Sequence, residues 1–162
     1  MAATLNSARV QTNLEIDYRS ADGLSKQFIQ FHPALSFANG NGAGQANDVY
    51  ETTLSIGTSA TATLTLSALT DAFGNSLVMT KLRALLIEHR TTTTASAVTV
   101  GGGTHPVFGT TIAGLIIPNG NFFTYTNKNG LAMVAGTNDV LTIINSDASN
   151  VATVRVTILG SQ

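Results

Sequence analysis

Apolar and polar residues alternate with a period of two along most of the chain. In TATLTLS (61–67), Leu64 and Leu66 fall on one side and Thr63 and Thr65 on the other. The segment VATVRVTIL (151–159) repeats the pattern: Ala152, Val154, Val156 and Ile158 share one face, and Thr153, Arg155 and Thr157 the other. Successive side chains of a strand point to opposite faces, so both segments predict strands with one face on a core. Runs rich in Val, Ile, Thr, Phe and Tyr predict further strands at 10–18, 26–32, 49–56, 95–100, 112–117, 121–126, 131–135 and 139–144. Turn-forming clusters separate them, among them Ala21-Asp22-Gly23, Gly74-Asn75, Pro118-Asn119-Gly120 and Lys128-Asn129-Gly130. Asn-Gly suits tight hairpins, which predicts that 112–117 pairs with 121–126 and 121–126 with 131–135. Many short strands with frequent turns predict an all-β fold, an antiparallel β-sandwich, with a jelly roll as one topology that fits.

The segment KLRALLIEHR (81–90) is ambiguous. Leu82, Leu85, Leu86 and His89 have helical spacing, and most of its residues are good helix formers. Its flanks are β-like and a Gly74-Asn75 turn precedes it, so a strand is predicted. Leu82, Ala84, Leu86 and Glu88 then share one face, and Lys81, Arg83, Leu85, Ile87 and His89 the other. The mixed face of Lys81, Arg83, Leu85 and Ile87 is a candidate contact between subunits. Residues 69–74 predict at most one helical turn, capped by Thr70 or Asp71, with Phe73 in the core and Gly74 ending it. Residues 1–43 form N-terminal strands or an arm, either of which could belong to the same sandwich; 44–162 form the sandwich domain. The Gly- and Asn-rich stretch 38–48 is an excursion or the tie between the two.

Charge changes this picture. Only 10% of the 162 residues are charged, against about 25% in an ordinary domain. Charged residues are depleted at interface cores, so such a surface suits coverage by other subunits. With a formal net charge of -1, nothing in the bulk charge attracts nucleic acid or an anionic membrane. There is no run of about 18 apolar residues, so no transmembrane helix is expected. The opening MAATLNSARVQTNLE lacks a signal-peptide h-region, so synthesis in the cytosol is expected.

Candidate chemistry is sparse. The chain has no Cys, which removes disulfides and thiolate metal sites. His32, His89 and His105 stand far apart, so no metal ligand set is assigned; His89 is expected at an exposed strand end beside Glu88. GGGTHP (101–106) lacks the Lys-Ser/Thr ending and following helix of a phosphate loop and predicts a turn. No G-x-S-x-G elbow occurs, and several of the nine acids sit in turns. No catalytic, cofactor-binding or metal-binding residue is assigned. Tyr125 is the candidate surface aromatic for carbohydrate, in a chain without Trp.

Five segments occur in an ordered succession: GQANDVYETTLSI, LTLSALTDAFGNSLVMTKLRALLIEH, SAVTVGGGTHPVF, LIIPNGNFF and LAMVAGTNDVLTIINSDASNVATVRVTILG. Over about residues 44–160 this succession resembles small β-sandwich structural proteins of tailed bacteriophages, of the capsid decoration or cement type. The resemblance implies a non-enzymatic protein of the virion that binds and stabilises the assembled shell. Its implied partners are the major capsid protein or other virion proteins, and it implies a homo-oligomer, with a trimer favoured. The alternative is a tail- or fibre-associated module that binds a host-surface glycan.

Overall fold

The computed structural model describes residues 5–19, 26–31, 33–91, 96–109 and 114–162. Among them there is no helix. The order along the chain is β1 (Ser7–Gln11), β2 (Leu14–Arg19), β3 (Lys26–Phe31), β4 (Ala34–Asn39), β5 (Gln45–Ala46), β6 (Asp48–Ile56), β7 (Thr61–Thr65), β8 (Leu69–Thr70), β9 (Ser76–Leu77), β10 (Lys81–His89), β11 (Ala97–Val100), β12 (Leu115–Pro118), β13 (Phe122–Ala132), β14 (Val140–Asn145) and β15 (Ala152–Ser161). The predicted strand at 81–90 is therefore a strand. Hydrogen bonding to β13 on one side and β15 on the other overrides its helical propensity.

Two four-stranded sheets form the sandwich, in the orders β13-β10-β15-β6 and β12-β11-β14-β7. Numbering these strands one to eight along the chain, the first pairs with the eighth, the second with the seventh, the third with the sixth and the fourth with the fifth. All four pairings are antiparallel. A long ribbon of strand pairs has been rolled up, which is the jelly-roll arrangement of two Greek keys. Leu64, Leu66, Ala152, Val154, Val156 and Ile158 are all buried between the sheets, as their alternation predicts.

The rolled ribbon overturns both predicted hairpins. β12 pairs with β11 and β13 with β10, so Pro118-Asn119-Gly120 turns the chain from one sheet to the other. Residues 121–126 and 131–135 do not pair either. The first lies largely within β13 and the second begins at its end, and both stretches of β13 pair with β10. Lys128-Asn129-Gly130 makes a loop within the strand instead.

The segment 69–74 holds a turn between β8 and β9. Asp71 caps it, as expected: Oδ1 accepts from the backbone N–H groups of Phe73 and Asn75, both at 2.8 Å. This folds the turn so tightly that Phe73 stands at its apex, 78% exposed, and not in the core.

The N-terminal residues form one long hairpin. A single register sets Ser7 opposite Ala38, Gln11 opposite Ala34, Leu14 opposite Phe31 and Arg19 opposite Lys26. The predicted turn at 21–23 and the strand end at His32 lie outside the described residues. The ladder is interrupted near Pro33, which cannot donate a hydrogen bond, although its carbonyl accepts from Thr12 N–H at 3.2 Å. The base of the hairpin, β1 and β4, packs on the outer face of the first sheet. Fully buried Phe37 meets Ala84 and Leu159 there, with Ala8, Val10 and Leu35 around it.

Candidate interaction surface

Strand β10 carries most of the residues that the sequence singles out, and a bulge decides where they point. Leu82 pairs with Gly160 and Ala84 with Leu159, which leaves Arg83 as an extra residue. The extra residue shifts the alternation by one. Leu82 therefore joins Leu85 and Ile87 in the core between the sheets, while Ala84 faces the N-terminal hairpin. The predicted contact face of Lys81, Arg83, Leu85 and Ile87 does not exist as a surface. Arg83, Leu85 and Ile87 are fully buried inside the chain, and only Lys81 keeps partial exposure.

Arg83 is buried as a clasp. Its Nη1 donates to the Lys128 carbonyl at 2.9 Å, and its Nη2 donates to the Asn41 and Gly42 carbonyls, both at 2.8 Å. Burial lowers its pKa from the usual arginine range. The guanidinium thus holds together the loop after β4, the loop within β13 and the bulge of β10. The stretch 38–48 is the tie between hairpin and sandwich. Gly44 N–H also donates to the Lys128 carbonyl, and Gly42 N–H to Gln45 Oε1. Gly130 completes the node, because φ is +79° and a Cβ there would lie 3.0 Å from both Arg83 Nη1 and Lys81 Cβ.

His89, expected at an exposed strand end, is fully buried. It faces the second sheet, with Nδ1 3.2 Å from the Ile117 carbonyl and Nε2 2.9 Å from Thr91 Oγ1. A carbonyl only accepts, so Nδ1 donates to Ile117, and Thr91 Oγ1, which also accepts from Thr153 N–H, is the partner of Nε2. The ring is thereby satisfied as a structural group. Glu88 lies on the opposite face and pairs with Arg90 at 3.4 Å. His105 is exposed in the loop after β11, in the left-handed region at φ +59°. Among the described residues no group of three His, Cys, Asp or Glu could hold a metal ion.

Tyr125 is not a surface platform. It pairs with Leu85 across the strands and points into the sandwich, with its ring edge-on to Phe108 at 5.1 Å. Among the described residues the strongly exposed aromatics are Phe73 and, on the outer face of the first sheet, Phe122 at 61%. The doublet Phe122-Phe123 held the signal: neighbours in a strand face opposite ways, so only one of the two can enter the core.

Two clefts lie on the outer face of the first sheet. The larger, about 590 Å³, runs between β1 and the sheet. Val49, Ala84, Leu86, Phe122 and Leu159 give it an apolar floor, while Arg9 and Glu88 are its charged lining residues. The smaller, about 420 Å³, touches the first at Val49 and is lined by Leu5, Phe73, Leu77 and three carboxylates, Asp48, Glu51 and Asp71. Two of these are committed. Arg155 Nη2 donates to both oxygens of Glu51, at 2.8 and 2.9 Å, and this hydrogen bonding lowers the Glu51 pKa. Asp71 is held low first by the Asn75 side-chain amide. Asp48 differs: it is buried, no described group donates to its Oδ2, and burial pushes its pKa up. The arrangement offers apolar area and a few hydrogen-bonding groups, which is binding chemistry. No protein-family model and no curated protein matches the chain.

Proposed function

We propose that the chain is a structural protein of a tailed-bacteriophage virion, a decoration or cement protein that binds the assembled shell without catalysis. The observation that carries this reading is the rolled eight-strand topology, an architecture that viral capsid domains share with lectins and cupins. A fold alone does not choose among those functions. Two features favour the shell. The chain is poor in charge, and its outer sheet face carries an apolar cleft beside a long hairpin, which fits surfaces covered in an assembly. Modest contacts repeated around a symmetric oligomer, such as the trimer the resemblance implies, become avid. The test is to identify the protein in purified particles by mass spectrometry and place it by electron microscopy. Density on the outside of the head, together with shells that rupture more easily without the protein, is the expected result. Absence from purified particles would refute the reading.

A second reading, a tail- or fibre-associated module for host glycan, rests on Phe73. This aromatic is held on a clamped turn beside Asp48, Asn47 and Gln162, a mix of ring and hydrogen-bonding groups that suits a sugar. Binding to a glycan array that is lost in Phe73→Ala would favour it over the shell.

A further inference from the structure

We infer that Asn41-Gly42 is a site of spontaneous covalent modification, where the chain closes a succinimide that converts Asn41 to aspartate and isoaspartate. The inference holds whichever function the protein serves.

Four Asn-Gly pairs occur in the sequence: Asn39-Gly40, Asn41-Gly42, Asn119-Gly120 and Asn129-Gly130. They share one intrinsic chemistry. The glycine amide nitrogen loses its proton and attacks the side-chain carbonyl carbon of the asparagine. A carbon–nitrogen bond forms, and the side-chain nitrogen leaves as ammonia. Water then opens the cyclic imide at one carbonyl or the other, which gives aspartate or isoaspartate. Glycine has no Cβ to shield the attacking nitrogen, so Asn-Gly is the most reactive context for an asparagine.

The fold ties down all four glycine N–H groups. Gly40 donates to the Ala46 carbonyl at 3.1 Å, and Gly120 to the His89 carbonyl at 3.0 Å. Both acceptors are backbone oxygens of fully buried strand residues. Gly130 donates at 3.1 Å to Asn127 Oδ1, an amide pinned at its other end, where Nδ2 donates to Tyr125 Oη at 3.1 Å. Gly42 N–H donates to Gln45 Oε1 at 2.8 Å, an acceptor carried on a long side chain. Asn41, Gly42 and Ala43 beside it are exposed. The guard on Gly42 is therefore the loosest of the four.

The decisive difference lies on the other side of the peptide. Arg83 Nη2 donates to the Asn41 carbonyl at 2.8 Å, and its other acceptors are the carbonyls of Gly42 and Lys128, not those of Asn39, Asn119 or Asn129. When the Gly42 nitrogen loses its proton, the negative charge spreads onto the Asn41 carbonyl oxygen. A guanidinium already in place stabilises that anion, as preorganised donors stabilise developing charge in general. The clasp that ties the hairpin to the sandwich thus also activates the peptide it holds. Isoaspartate routes the backbone through the side-chain carbon, which shifts the carbonyls at 41 and 42 away from Nη2.

Peptide mapping by mass spectrometry follows the reaction while the full chain is incubated at mildly alkaline pH, with the chain unfolded in urea as the reference. In urea all Asn-Gly pairs should react at similar rates, because the reacting dipeptide is the same. In the folded chain Asn41 should lead the other pairs by about tenfold or more, the effect of one charge-assisted hydrogen bond on the anion. Gln45→Ala should speed Asn41 about fivefold further, the loss of one ordinary hydrogen bond. Arg83→Met, incubated well below its melting temperature, should slow Asn41. A purely structural clasp predicts the opposite sign, since loosening the loop would speed the attack. A faster Asn41 in Arg83→Met would therefore overturn the inference. So would another asparagine leading in the folded chain, equal rates at all the pairs, or an Asn41 that stays intact while the urea sample is converted.

Discussion

At the scale of single residues, the charged groups that matter are the buried ones. Arg83 reaches three carbonyl oxygens on two loops, and its fork of donors is what permits this. Arg83→Met should destabilise the fold by about 3 kcal/mol, since it strips partners from partly buried carbonyls. In a chain of this size that lowers the melting temperature by roughly 6–12 °C. Arg83→Lys should recover little of the loss, because a single ammonium cannot bridge both loops. Calorimetry on the two variants checks this, and full rescue by lysine would count against the clasp. Asp48 behaves oppositely. Burial raises its pKa, so the folded state favours the protonated carboxyl. Its contribution is fully present below the unfolded aspartate value of about 3.9 and is lost as pH rises through the higher folded value. Asp48→Asn should therefore melt above the wild type at pH 7, and the gap should close near pH 3. Asp71 and Asp147 are held low by hydrogen bonds, first from Asn75 and Asn150, and lose their contributions as pH falls. Both are common to the two proteins and cancel in the comparison.

At the scale of elements, the N-terminal hairpin divides into an anchored base and a distal part. Its register is continuous, so cutting it at Asn13 and His32 keeps the rungs of β1 and β4 in line. Replacing residues 14–31 with an Asn-Gly turn should leave the melting temperature of the monomer within about 2 °C, equivalent to less than 1 kcal/mol. A larger loss would mean that the distal strands support the sandwich of their own chain. How far these elements could be read from sequence depended on what fixed them. Strands with strict alternation, such as 61–67 and 151–159, were legible because a single buried face leaves its period in the residues. The orientation of 81–89 was not, since the extra residue at Arg83 shifts Leu82 onto the face of Leu85, and an unpaired strand carries no mark of a bulge. The hairpins around 118–120 and 128–130 were misread for a related reason. Asn-Gly specifies a local backbone geometry, and the partner of the next strand is chosen by the rolled ribbon. Within the candidate surface, Phe122 was half-visible through its doublet with Phe123, whereas the burial of Arg83 and His89 depended on acceptors distant in sequence, on loops 41–42 and 128 and on Ile117.

At the scale of the whole molecule, low charge sets how this chain can associate. An interface built on the apolar cleft of the outer face, where one Arg9 stands against one Glu88, gains mainly from apolar burial, and ion pairing contributes little. The Debye length falls from roughly 14 Å at 0.05 M salt to about 4 Å at 0.5 M, which silences long-range attraction between exposed charges. Self-association should therefore change by less than about threefold over that range, whereas a contact relying on several exposed ion pairs would weaken much more. Burial of apolar surface leaves a second mark, a negative heat-capacity change on association. Dilution calorimetry between 10 and 35 °C reads both quantities on the wild-type chain. Weak salt dependence with a negative heat-capacity change identifies apolar packing as the source of affinity. Steep salt dependence would move the contact away from the apolar floor to exposed charged groups of the outer face such as Glu51, Arg155 and the acids of the smaller cleft.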